Sequence, residues 1–107
     1  MSSVGDALNY LATSAEDYAD AVQSEARLEH LIKNTRAELI GISDEKTQAA
    51  KEAWAMSQKE YRKLCEDDYP LARRRVAYHK AKQKWASDVI SVWQTQNANK
   101  RAAERVR

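Results

Sequence analysis

Apolar residues return at alternating steps of three and four along Val4, Leu8, Leu11, Ala15, Tyr18 and Val22, a spacing that lines one side of an α-helix with a coiled-coil-like seam. From Ala21 the track moves to Glu25, Leu28, Ile32, Thr35 and Leu39, and the slip predicts a local change of supercoil inside one helix over about 3–40. Gly41 is placed to end that helix as a left-handed cap. Ser43 and Asp44 are N-cap types, so a second helix is expected over about 44–66, with Thr47, Ala50, Trp54, Ser57, Tyr61 and Leu64 turned inward. Glu66-Asp67-Asp68 ahead of Tyr69-Pro70 then predicts a turn or sharp kink. Proline suits the first turn of a new helix, the acids favour its positive end, and the residue before proline is biased away from helical geometry; a kinked continuous helix is the alternative.

The third helix, over about 70–103, presents Leu71, Tyr78, Trp85 and Val92 at seven-residue intervals, with Ala81 and Val89 filling the same face. These six residues read as its core stripe. Arg73, Lys80 and Lys84 fall opposite, while Val76, Ala86, Ile90 and Trp93 widen the apolar arc along one flank. One seam cannot bury all of them. The expected fold is therefore all-α, an elongated three-helix bundle or helical hairpin with coiled-coil-like packing, forming a single domain completed as a dimer or higher homo-oligomer.

Composition agrees with helices. Gly5, Gly41 and Pro70 are the only strong breakers among 107 residues, of which 32% are charged. Cys65 is the single cysteine, which rules out an intrachain disulfide and a cysteine-rich zinc site. The apolar runs are only a few residues long, and Met1 to Asp6 lacks a basic segment followed by an apolar one. A membrane span and a secretory signal are thus unexpected, and a cytoplasmic setting is expected. Charge alters the picture more. Residues 71–107 carry ten Lys or Arg against two acids, whereas residues 1–70 carry eight against fourteen, so a net +2 hides a −6 front and a +8 tail. Such a tail attracts phosphate or an acidic protein surface.

Two blocks of this chain, Asp6-Ala7-Leu8-Asn9-Tyr10-Leu11-Ala12 and Val92-Trp93-Gln94-Thr95-Gln96-Asn97-Ala98-Asn99-Lys100-Arg101, resemble an uncharacterised family of small proteins of tailed bacteriophages and prophages. Glu16-Asp17-Tyr18-Ala19, Leu28-Glu29 and Leu31-Ile32-Lys33 carry the likeness further. In the family the second block reads Val-Trp-Arg-Ser-Gln-Asn-Ala-Asn-Arg-Arg, from which this chain departs at Gln94, Thr95 and Lys100. The resemblance implies a small helical accessory protein encoded near DNA recombination, annealing or replication genes. It brings no catalytic residues, and the loss of a basic residue at Gln94 weakens phosphate contact there.

The candidate chemistry is binding. Arg73, Arg74 and Arg75 with Lys80, Lys82 and Lys84 are placed to neutralise phosphates, against the plainer reading of a solvated basic face on which the Arg75 and Lys82 stems cover apolar surface. Trp93, Asn97, Asn99, Lys100 and Arg101 combine an aromatic, amides and cations, a set suited to stacking a base and holding phosphate. The same set suits a protein-recognition patch or a polar helix end whose Trp93 packs on the first helix. His30, His79 and Cys65 lack partners in a ligand or nucleophile pattern, and neither glycine forms a phosphate loop. The expectation is a non-enzymatic protein with no metal, cofactor or small-molecule substrate and no membrane partner. Its partner is nucleic acid or a host or phage DNA-processing protein. The rivals are an inhibitor or adaptor of a host nuclease or defence protein, and a purely structural oligomer.

Overall fold

A computed structural model describes residues 3–106 of the chain, and among them every regular element is helical. The all-α class expected from the pattern is what forms. The elements are α1 (Ser3–Thr13), α2 (Ala15–Ile42), α3 (Gln48–Ser57), α4 (Lys59–Lys63), a π-helical turn (Leu64–Asp68) and α5 (Tyr69–Val106). The chain divides into two compact units. Residues up to Tyr18 join those from Ala77 onward in the first, and Ala19–Val76 form the second.

The helix boundaries depart from those expected, each for a local reason. The first helix bends at Ser14, where the backbone ladder carries on through Ser14 N–H to Tyr10 O and Tyr18 N–H to Ser14 O, both at 2.9 Å. Thr13 Oγ1 donates to Asn9 O at 2.8 Å, and a hydroxyl bonded back to the carbonyl four residues earlier bends a helix. Gly41 is not a left-handed cap, because no described glycine has a positive φ; it lies inside the last turn of α2. Nor do Ser43 and Asp44 cap the next helix. Ser43 Oγ accepts from Glu45 N–H in the intervening turn, and Thr47, exposed rather than inward, is the cap, accepting from Ala50 N–H at 3.1 Å.

The second helix breaks where no glycine or proline marks it. Gln58 is extended, and the Trp54 carbonyl left over by the break accepts from Ser57 Oγ at 2.7 Å and from Gln58 Nε2 at 3.0 Å. At Pro70, where a turn or kink was expected, helix runs on through the π-helical turn, with Tyr69 N–H bonded to Leu64 O five residues back. The wider turn gives the proline ring room against the carbonyl four residues earlier, the clash that breaks a regular helix.

The largest correction concerns the core. Leu71, Tyr78, Trp85 and Val92, expected to be buried, are 61%, 57%, 37% and 56% exposed. The buried line of α5 runs one residue later through Ala72, Val76 and Ala86, with His79 half-buried. The expected seam of α1 and α2 is overturned likewise, since Leu8, Leu11 and Val22 are exposed while Ala7, Ser14 and Ala21 are buried. That line continues through half-buried Leu28 and Thr35, so no slip near Ala21 is needed. The later track to Leu39 stands, with Leu39 buried and Glu25, Leu28, Ile32 and Thr35 half-buried. Small side chains occupy the buried heptad positions because they allow helix axes to come close, which sends the bulky neighbours to the flanks. Among the described residues, Ala7, Ser14 and Ala86 are thus the buried ones of the first unit, and Ala21, Leu39, Ala55, Ala72 and Val76 those of the second.

Candidate functional site

In the second unit, Tyr69 donates its hydroxyl to Glu29 Oε1 at 2.7 Å, and Arg73 places its guanidinium 5.9 Å from the centre of the Tyr69 ring. The hydrogen bond to Glu29 holds the Tyr69 hydroxyl above the usual tyrosine range. Arg74 and Arg75 are exposed and have no ionic partner among the described residues. Elsewhere in this unit Arg36 pairs with Glu52 at 3.5 Å, and Arg62 with Glu66 at 3.2 Å. The Cys65 thiol beside Tyr61, together with burial, pushes the Tyr61 hydroxyl up, while Arg36 pulls it the other way.

The first unit contains a cluster that sequence reasoning passed over. The His79 ring lies nearly parallel to those of Tyr10 and Tyr18, at 6.4 and 5.7 Å between ring centres. Tyr10 Oη lies 3.1 Å from His79 Nδ1 and 3.2 Å from the His79 carbonyl. The hydroxyl has one proton, so when it donates to the carbonyl, Nδ1 must carry a hydrogen and donate back. Lys82 lays its ammonium 5.7 Å from the Tyr10 ring centre and 4.6 Å from that of Trp85. A signal for this cluster was present in the seven-residue repeat of Ala72, His79 and Ala86, which the bulkier Leu71 repeat beside it concealed.

The expected site residues of this unit fall into two groups. Lys80, Asn99, Lys100 and Arg101 are exposed and unpartnered among the described residues, whereas Lys84 Nζ meets Asp88 Oδ2 at 2.7 Å. The Asp88 carboxylate holds Lys84 above the usual lysine range. Asn97 is half-buried and donates to the Trp93 carbonyl at 2.9 Å, which spends one amide hydrogen locally. Trp93 is half-exposed and, with Ser3, Val4, Asp88, Val89, Val92 and Gln96, lines a shallow cleft of about 360 Å³. The structure thus places Trp93 beside the start of α1. It leaves Asn99, Lys100 and Arg101 on an open helix surface.

Among the described residues no group of three or more His, Cys, Asp or Glu is arranged to hold a metal ion. No described helix is long and apolar enough to cross a membrane. No protein-family model matches the chain, and neither a curated protein nor a solved structure matches it.

Proposed function

We propose that this chain is a non-enzymatic binding protein of a bacteriophage or prophage that holds nucleic acid on the outer cations of α5. It works in DNA recombination, annealing or replication in the cytoplasm of the bacterial host. The observation that carries this reading is that Arg74, Arg75, Lys80, Lys100 and Arg101 are exposed with no acidic partner among the described residues. A cation already paired must give up its partner before it meets phosphate. An unpaired one binds at no such cost and releases counterions from the nucleic acid. Arg73 and Lys84 add to the field, though each has a neighbour of its own. Trp93 supplies a half-exposed ring for stacking, and the likeness of its surroundings to the phage family supplies the setting.

A second reading, an adaptor or inhibitor that grips a host protein, is favoured by the cleft beside Trp93, which is lined by Val4, Val89 and Val92 and suits an apolar side chain. Titrating labelled single- and double-stranded oligonucleotides at low and near-physiological salt separates the two. For the nucleic-acid reading, binding is strong at low salt and falls as salt rises. Replacing Arg73, Arg74 and Arg75 together by Ala lowers the salt slope by roughly one unit for each phosphate that is no longer neutralised. Trp93→Ala weakens affinity with little change of slope, because stacking releases no counterions. Absence of binding at the lower salt overturns the nucleic-acid reading and leaves the adaptor.

A further inference from the structure

The first unit carries two unlike faces, and each supplies what the other lacks. Lys82 reaches both Tyr10 and Trp85, so those two rings share one side of the unit. At about 100° per residue Leu8 stands roughly 200° from Tyr10 and belongs to the reverse. Leu11 and Ala15 continue the Leu8 line at steps of three and four, and all three are exposed. On α5, Trp85 precedes buried Ala86 by one residue while Lys80 follows half-buried His79 by one, which sets them on opposite sides of the inward line. Lys84 falls on the outer edge of the Lys80 side. Asp6 precedes buried Ala7 and Asp17 lies seven residues beyond Tyr10, so both acids belong with Tyr10.

The front therefore sets Asp6 and Asp17 beside a strip of Tyr78, Trp85 and Val92, with the Lys82 ammonium held over the Trp85 ring. The reverse sets the Leu8, Leu11 and Ala15 line beside Lys80 and Lys84, the second of which must exchange its pairing with Asp88 for the new contact. We propose that the front face of one copy of this chain is occupied by the reverse face of another. The α1 leucines of the second copy lie on the aromatic strip, and its two lysines, about one turn apart, reach toward the two acids from between them, the acids being about three turns apart. Apolar surface meets apolar surface while opposite charges meet along the neighbouring helix. A front laid on its own twin is poorer on both counts, because the acids then meet the same acids or the aromatic strip, and the Lys82 of each copy is already engaged over Tyr10 and Trp85. Since the two complementary faces are on opposite sides, the association is head-to-tail and does not close at two copies. Nothing in this rests on nucleic acid; Lys80 and Lys84 are drawn into the contact, and the phosphate-facing set narrows to Arg74, Arg75, Lys100 and Arg101.

Sedimentation velocity of the full chain over a concentration series reads the result. Wild type grows past twice the 12.2 kDa chain mass. A reverse-face variant carrying Leu8→Asp and Leu11→Asp, and a front-face variant carrying Trp85→Asp, each stay monomeric at the same concentration. Mixed together they form a one-to-one pair and stop there, because each retains the face the other has lost. A monomeric wild type, self-association of either single-face variant, or a mixture that fails to pair overturns the proposal. Should circular dichroism show either variant unfolded, the surface-charge versions replace them. Lys80→Glu with Lys84→Glu weakens association by more than about tenfold, and mixing with Asp6→Lys plus Asp17→Lys restores it; failure to restore it is equally fatal.

Discussion

Val76 and Leu71 state the packing problem in two residues. Both are aliphatic and five positions apart, yet Val76 is 6% exposed and Leu71 ten times as much. The seven-residue repeat of large side chains through Leu71, Tyr78 and Trp85 is the louder pattern, but the quieter repeat through Ala72, His79 and Ala86 is the one that turns inward. Two adjacent lines on a helix differ by about 100°, and periodicity alone does not say which one faces the neighbour. Side-chain size decides it, because alanine lets backbones approach where tryptophan does not. Val76→Ala should therefore cost about 2 kcal/mol through lost burial and a residual cavity, while Leu71→Ala stays within about 0.5 kcal/mol. Urea unfolding of the two variants measures this directly, and equal losses would restore the Leu71 stripe as the core.

Among the elements, the missed features are those whose cause is a side chain bonding to its own backbone. The break at Gln58 rests on Ser57 and Gln58 reaching back to Trp54 O, and the bend at Ser14 goes with Thr13 reaching back to Asn9 O. Serine, threonine and glutamine occur in many unbroken helices, so neither site stands out in a list of residues. The two strongest breakers misled in the opposite direction. Pro70 is absorbed by the π-helical turn, and Gly41 sits in helix with nothing within 4 Å of where a β-carbon would be. Gly41→Ala should consequently raise stability by up to about 0.5–1 kcal/mol, through lower entropy of the unfolded chain and better helix propensity. A left-handed cap would respond with the opposite sign, and a thermal melt distinguishes the two.

At the scale of the whole molecule, the asymmetric charge was plain from the sequence, whereas the way each charge is used was not. Of the expected phosphate-facing residues, Lys84 is engaged by Asp88 and Arg73 lies over Tyr69, while Arg74, Arg75, Lys80, Lys100 and Arg101 are left open. The Tyr69 hydrogen bond to Glu29 also makes a contribution to stability that depends on pH in the alkaline range. Glu29 raises the Tyr69 hydroxyl above its unfolded value of about 10, so its contribution to stability is complete below that pH and is lost as pH climbs through the raised value. Tyr69→Phe should lose stability near neutral pH and show a shallower further loss in alkali than the parent. Urea midpoints compared at neutral pH and above the tyrosine range test it, and parallel losses in both proteins would show that Tyr69 is not responsible.

Helical class, the −6 and +8 division and the absence of any intrachain disulfide follow from composition and periodicity, which act residue by residue and need no partner. The later track of α2 ending at Leu39 was legible too, because there a single apolar line has no competitor. Tertiary structure decided the inward face of α5, the ring contacts of His79 with two tyrosines, the capture of Lys82 by Tyr10 and Trp85, and which cations stay unpaired. Each of these depends on what stands across from a residue. Such a relation comes into being only when segments about 70 positions apart in the chain, as Tyr10 and His79 are, pack side by side.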